Sequence, residues 1–167
     1  MAYEFYVTVE GTVQKKFKGE SPNKQHAQQI PGLSFQYEVT AAHDASSGLP
    51  SGKRQHKPMV FVKEWGASTA QFFQALVNNE NLKTVNFEFY RVDTTTGKEA
   101  VYYTIKLTNA SVTAIRQFSD TAEGGPSPAK YPGAVGHEFE AISLTFQKIE
   151  LQHTTTKSDA MDDWKSS

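Results

Sequence analysis

The stretch that comes closest to a reactive motif is Gly48-Leu49-Pro50-Ser51-Gly52-Lys53-Arg54, a glycine-rich run of the kind whose backbone amides cradle phosphate. It fails on spacing and on chemistry. The interval between the glycines is one residue short, and Arg54 stands where a Ser or Thr hydroxyl would hold magnesium. Pro58 and a strand pattern follow, rather than the helix whose N-terminus would receive the phosphate. His137-Glu138-Phe139-Glu140 lacks the second histidine of a zinc peptidase helix. His26, His43, His56 and His153 are scattered, with no pair at ligand spacing. No Gly-x-Ser-x-Gly elbow occurs. Asp162 and Asp163 lie in a polar C-terminal stretch and read as solvated charges. No catalytic, cofactor-binding or metal-binding residue is assigned, and neither a cofactor nor an enzymatic activity is expected.

What remains is a basic cluster, Lys53, Arg54, His56 and Lys57 beside Pro58, with Lys15, Lys16 and Lys18 earlier in the chain. A charge run is most often a solvated face. Here it coincides with a long loop and a rigid proline, which points to an acidic surface on another copy as its partner. Nucleic acid and anionic membranes fit poorly, because the formal net charge is only -1 and phosphate binding draws on a large basic excess. The chain has no cysteine, so disulfides and thiolate metal sites are excluded.

The elements that must carry this cluster are mostly strands. Tyr3, Phe5, Val7 and Val9 alternate with polar residues, as do Leu33, Phe35, Tyr37 and Val39. Val85, Phe87 and Phe89 repeat the pattern, and so do Val101, Tyr103, Ile105 and Leu107. A period of two over so many residues marks strands with one buried face. Ile142, Leu144 and Phe146 alternate as well, and Ile149 and Leu151 resume one residue out of phase, which predicts a bulge or bend near Gln147 and Lys148. Asp93 to Lys98 closes a hairpin, and Asn109-Ala110 predicts a break before a further strand. One helix is expected: Ser68-Thr69-Ala70-Gln71 reads as a capping box, and Phe72, Phe73, Leu76 and Val77 form a stripe read as core packing. Two long loops are expected, Ala42 to Lys57 and Ser119 to Gly136. At 167 residues, the chain is read as one domain over 1–152 with a polar tail over 153–167. The N-terminus shows no secretory leader pattern, and no run of about eighteen apolar residues could span a bilayer. Synthesis and folding in the cytoplasm are expected.

Gly52-Lys53-Arg54-Gln55-His56-Lys57-Pro58, followed by Phe61-Val62-Lys63-Glu64, resembles the Hcp family of bacterial type VI secretion. Phe72-Phe73-Gln74-Ala75-Leu76, Phe89-Tyr90-Arg91 and Tyr102-Tyr103-Thr104-Ile105-Lys106-Leu107 extend the likeness. So do His137-Glu138, Ile142 through Glu150, and Asp162-Asp163-Trp164. The family usually carries an Ile-Asp-Lys-Ser-Ser-Pro-like run into the helix, and Trp65-Gly66-Ala67-Ser68-Thr69-Ala70 departs from it. The resemblance implies a mainly β fold, a compact two-sheet β-barrel with one short flanking helix and a long projecting loop. It implies hexameric rings stacked into a tube that a contractile sheath expels, with tip proteins at its end and small effectors in the lumen. The protein would then be cytoplasmic before firing and secreted without a signal peptide. On this reading Lys53, Arg54, His56, Lys57 and Pro58 belong to the ring or stacking interface. Ser34, Gln36, Glu38 and Thr40 form a polar strand face that would line the lumen. The competing reading is a monomeric ligand-binding β-barrel module.

Overall fold

The computed structural model describes residues 5–119, 134 and 136–166. Tyr3 lies outside the described residues and the run from Leu33 to Val39 is broken at Leu33, Tyr37 and Glu38, but the other expected alternations all lie in strands. They are β1 (Phe5–Gly11), β2 (Lys15–Lys16), β3 (Ile30–Gly32), β4 (Ser34–Gln36), β5 (Val39–His43), β6 (Pro50–His56) and β7 (Met59–Glu64). After helix α1 (Thr69–Val77) come β8 (Leu82–Val92), β9 (Glu99–Ser119), β10 (Glu138–His153) and β11 (Ser158–Asp163). Nine strands form one antiparallel sheet in the order β2-β1-β8-β9-β10-β7-β4, with β3 also on β1 and β11 on β10. β5 and β6 form a separate two-stranded sheet.

The mainly β architecture is as expected, but the sheet is not closed into a barrel. The segment from Ile30 to Gln36 bridges its two ends instead. β3 pairs with β1 (Val7 opposite Ile30), and β4 pairs with β7 (Gln36 opposite Val60). Each of these strands has only three residues, so neither can bond to two neighbours along a shared length. The interior is filled by aromatic rings packed largely edge to face. Phe5 to Phe35, Phe61 to Phe72 and Phe35 to Phe87 have centroids 6.0, 5.9 and 5.5 Å apart.

The two longest strands bend together. The ladder runs through Phe146 opposite Ala110 and Lys148 opposite Thr108 without a slip, so no bulge sits at Gln147 and Lys148. The slip lies between Ser143 and Leu144 instead, with Thr113 as the extra residue. The change of phase at Gln147 is matched on β9, where Leu107 and Ala110 are both buried with Thr108 and Asn109 between them. Asn109 has φ 51° and donates from Nδ2 to Gln147 Oε1 at 2.9 Å. The expected break at Asn109-Ala110 is thus a bend inside one continuous strand.

Two helix expectations are overturned. Ser68 makes no capping bond. Its backbone N–H and hydroxyl both donate to Glu20 Oε2, at 3.0 and 2.9 Å, while Gln71 Oε1 accepts from the Lys18 N–H at 2.8 Å. A carboxylate is the stronger acceptor and displaces the box. Phe72 is fully buried, whereas Phe73 and Val77 are 58% and 53% exposed. The short helix rests on Phe72, Ala75 and Leu76, and Phe73 and Val77 fall on the side turned from the sheet.

Beneath the helix start lies a buried ion cluster that no motif or spacing predicts. Lys63 Nζ is 2.8 Å from Glu20 Oε1 and 2.7 Å from Glu140 Oε1, and its side chain is wholly buried. It also donates to the Glu64 carbonyl at 2.8 Å. Thr69 Oγ1 donates to Glu140 Oε1 at 2.9 Å and accepts from the Gly66 N–H at 2.9 Å. Trp65 Nε1 donates to the Phe139 carbonyl at 3.0 Å. These bonds fix the helix entry through the residues that depart from the family run.

Candidate functional site

The stretch expected as a long loop, Ala42 to Lys57, is largely a projecting hairpin. β5 and β6 pair with Val39 opposite His56 and Ala41 opposite Arg54. Asp44 builds the turn: its Oδ1 accepts from the N–H groups of Ser46 and Ser47 at 2.7 and 3.1 Å. Gly48 closes it at φ 72°, and Leu49 stands 64% exposed at the tip. Those turn bonds also hold the Asp44 carboxyl below its usual range, the Ser46 hydroxyl contributing most.

All of β5 is exposed, as is most of β6. A lone two-stranded hairpin is marginal in water, so something must hold it. The anchor is Asp162 of β11, one of the two residues read as solvated tail charges. Arg54 reaches it as a two-pronged pair, Nε to Oδ2 at 2.6 Å and Nη2 to Oδ1. His56 Nε2 meets the same Oδ2 at 2.6 Å, and His56 Nδ1 meets the Tyr37 hydroxyl. The neutral tautomer that satisfies both contacts carries its proton on Nε2 and accepts at Nδ1 from Tyr37. Trp164 closes the assembly, its ring 5.2 Å from His56 and 5.6 Å from the Arg54 guanidinium. Hydrogen bonds from Arg54, then from His56, pull the Asp162 carboxyl from 3.8 down to about 2. The bond to Asp162 raises Arg54 in turn. Burial, then the Asp162 charge, raises Tyr37, which keeps its hydroxyl protonated as a donor.

The expected basic cluster is therefore divided. Arg54 and His56 point to β11 and are used inside the chain. Lys57 pairs with Glu38 at 3.1 Å across the hairpin root. Lys53 is exposed on β6, and Pro58 is exposed just before β7. Lys15 and Lys16 lie on β2, at the opposite end of the sheet order from β4, and do not join the cluster. The expected polar strand face is split as well. Ser34 and Gln36 lie on β4, Glu38 is at the hairpin root, and Thr40 sits opposite Gln55 on β5. The Ser119 to Gly136 loop falls largely outside the described residues.

Sequence reasoning missed Asp162, Tyr37 and Trp164 as anchors. It also missed β11 within the supposed tail, because Ser-Asp-Ala-Met-Asp-Asp has no apolar alternation. That strand is recruited by β10, with Ile149 opposite Asp162 and Leu151 opposite Ala160.

The whole-chain comparisons agree with this architecture. A family model described as type VI secretion system effector, Hcp, matches residues 6–153. The major exported protein of Pseudomonas aeruginosa is 27% identical, over 99% of this chain and 98% of that protein. A crystal structure of an Hcp protein superposes with a TM-score of 0.84 at 27% identity, covering 98% of this chain and 100% of the other. An Escherichia coli Hcp1 variant shares the fold, with a TM-score of 0.81 at 20% identity over 98% and 99% of the two chains. With the family match spanning nearly all of the sheet, the chain belongs to the Hcp family of type VI secretion proteins.

Proposed function

We propose that this chain is a structural subunit of the type VI inner tube, forming hexameric rings that stack and carry small effectors in the lumen. The observation that carries the reading is the Hcp family match across residues 6–153, on a fold whose interior is closed by packed aromatic rings. The sheath and the tip proteins are its partners in the machine. The related Pseudomonas protein is named as exported, and export by the same machinery is the fate proposed here, after folding in the cytoplasm. The role is mechanical rather than catalytic. In the ring or stacking contact the hairpin presents Lys53 and the Leu49 tip, while Arg54 and His56 stiffen the hairpin from behind. The competing ligand-barrel reading would need a hollow interior, and Phe5, Phe35, Phe61, Phe72 and Phe87 fill that space.

Light scattering on the purified protein, with negative-stain images of the same fraction, tests the reading. The expected result is a hexamer seen as a ring with a central hole. A monomer at every concentration would sink it. For the lumen, exchanging Gln36 and Glu38 together is expected to change how well an effector is retained. Unaltered retention would remove those positions from the lumen wall.

A further inference from the structure

The stretch from Trp65 to Ala70, where the chain departs from the usual family run, does more than open α1. Trp65 and Gly66 form one side of a cavity of about 230 Å³ at the helix entry. Pro22, Pro31, Leu33 and Trp65 are its apolar walls, and Glu20 connects it to the buried ion cluster. Glu64 also lines it, with Oε1 accepting from the Gly136 N–H at 2.9 Å. Space requires glycine at position 66, because a Cβ there would fall 2.3 Å from Glu20 Oε2. Trp65 is 50% exposed, and its Nε1 proton is already given to the Phe139 carbonyl. That bond holds the ring in place, so the indole offers the cavity its π surface and no donor.

The ion cluster behind the cavity is unbalanced. Glu20 and Glu140 share the single ammonium of Lys63, and no other ion pair reaches these three side chains among the described residues. Lys63 and Glu140 are wholly buried, and the Glu20 side chain is 9% exposed. One negative charge is therefore in excess and largely shut off from water, which is costly without a counter-charge. Donors on Ser68, Thr69 and Gln117 lower that cost but leave the charge. Of the two carboxylates that share Lys63, Glu20 is the one that lines the cavity. A carboxylate has about four acceptor positions, and Lys63, the Ser68 N–H and the Ser68 hydroxyl leave one of them on Glu20 open.

We propose that this cavity binds an ammonium group on an apolar stem, with the stem against Pro22, Pro31 and Leu33 and the cation between the Trp65 ring and Glu20. The face of an indole attracts a cation through its quadrupole, and more strongly where water is excluded. The surplus carboxylate replaces the water that the ammonium gives up. A neutral ligand of the same shape would leave the surplus uncorrected, and an anion would add to it. A free alkylamine and a lysine side chain of a bound polypeptide both carry this chemistry. The site lies within one chain, so its occupation does not depend on ring formation.

The chain has two tryptophans, so nitrogen-15 labelling of tryptophan gives two indole resonances, with Trp164 as the internal control. The full chain is titrated with n-butylammonium, with lysine capped at both backbone ends, and with 1-butanol as the neutral counterpart. The expected result is a saturable shift of the Trp65 resonance with n-butylammonium, Trp164 unmoved, and binding of 1-butanol weaker by about tenfold or more. Capped lysine binding as well as the free amine assigns the site to a polypeptide side chain. Binding of n-butylammonium alone assigns it to a small amine, and either result upholds the proposal. No shift of Trp65 with either amine overturns it and shows that the surplus charge is met without a ligand. Equal binding of 1-butanol overturns it too. Glu20→Gln removes the surplus in nearly the same shape and is expected to weaken n-butylammonium by about tenfold or more. Pro22→Lys, which places an ammonium of the chain's own at the exposed wall, is expected to abolish binding and decides the matter should Glu20→Gln fail to fold. Unchanged affinity in either folded variant overturns the proposal.

Discussion

At the scale of single residues, Asp162 governs the hairpin. It accepts from Arg54 and His56 and sits beside Trp164, so one carboxylate joins β6 to β11. Its folded carboxyl is depressed from 3.8 to about 2, so its stabilising contribution is present in full above about pH 4 and is lost as the pH falls towards 2. Asp162→Asn keeps the shape and removes the charge. The expected result is faster hydrogen exchange in the amides of β5 and β6, with β8 and β9 unchanged. The variant should also lose the part of the acid-induced loss of stability that falls between those two pH values. Equal exchange in the hairpin of both proteins would show that Arg54 and Asp162 do not hold it. Arg54→Glu, which would set two carboxylates face to face, disturbs this anchor first, so it is a poor probe of contacts between rings.

At the scale of elements, α1 shows how little of a helix must be apolar to dock. Phe72 packs on Phe17 and Phe61 with centroids 5.0 and 5.9 Å away, while its neighbour Phe73 points outward. Phe72→Ala is expected to cost about 3–5 kcal/mol in urea unfolding, as a cavity in a packed aromatic core does. Phe73→Ala in the monomer is expected to cost no more than about 0.5 kcal/mol. Equal costs would contradict the orientation of the helix. The entry to α1 depends on Glu20, from the segment after β2, and on Glu140, from β10. Both carboxylates converge on Lys63, and sequence spacing could not have brought them together.

For the whole molecule, the C-terminal strand does two jobs. β11 extends the sheet along β10 and carries the anchor for the hairpin. Removing residues 158–167 would therefore bare the edge of β10 and free β5 and β6 at once. The truncated chain is expected to melt at a lower temperature than Asp162→Asn and to aggregate, measured by thermal scanning with light scattering. A truncated protein as stable and soluble as the full chain would show β11 to be an accessory. The opening left by the unclosed sheet is spanned by the two short strands β3 and β4, while the projecting hairpin depends on β11 for its anchor.

The sequence by itself determined most of the strands that alternate, the one α-helix among the described residues, the absence of thiols and, through its resemblance, the family. These are local or cumulative signals: a period of two survives in any register, and motifs read in order need no coordinates. It placed the basic residues near one another but not their partners. Only the tertiary structure decided that Arg54 and His56 face Asp162, some hundred residues later, and that Phe73 faces out while Phe72 faces in. It also decided that Lys63 lies buried between two glutamates and that the polar segment 158–163 is a strand. Each of these depends on which element packs against which. A charge or an aromatic ring carries the same letter whether it meets water, a core or a counter-ion, and burial and pairing are set by chain segments distant in sequence.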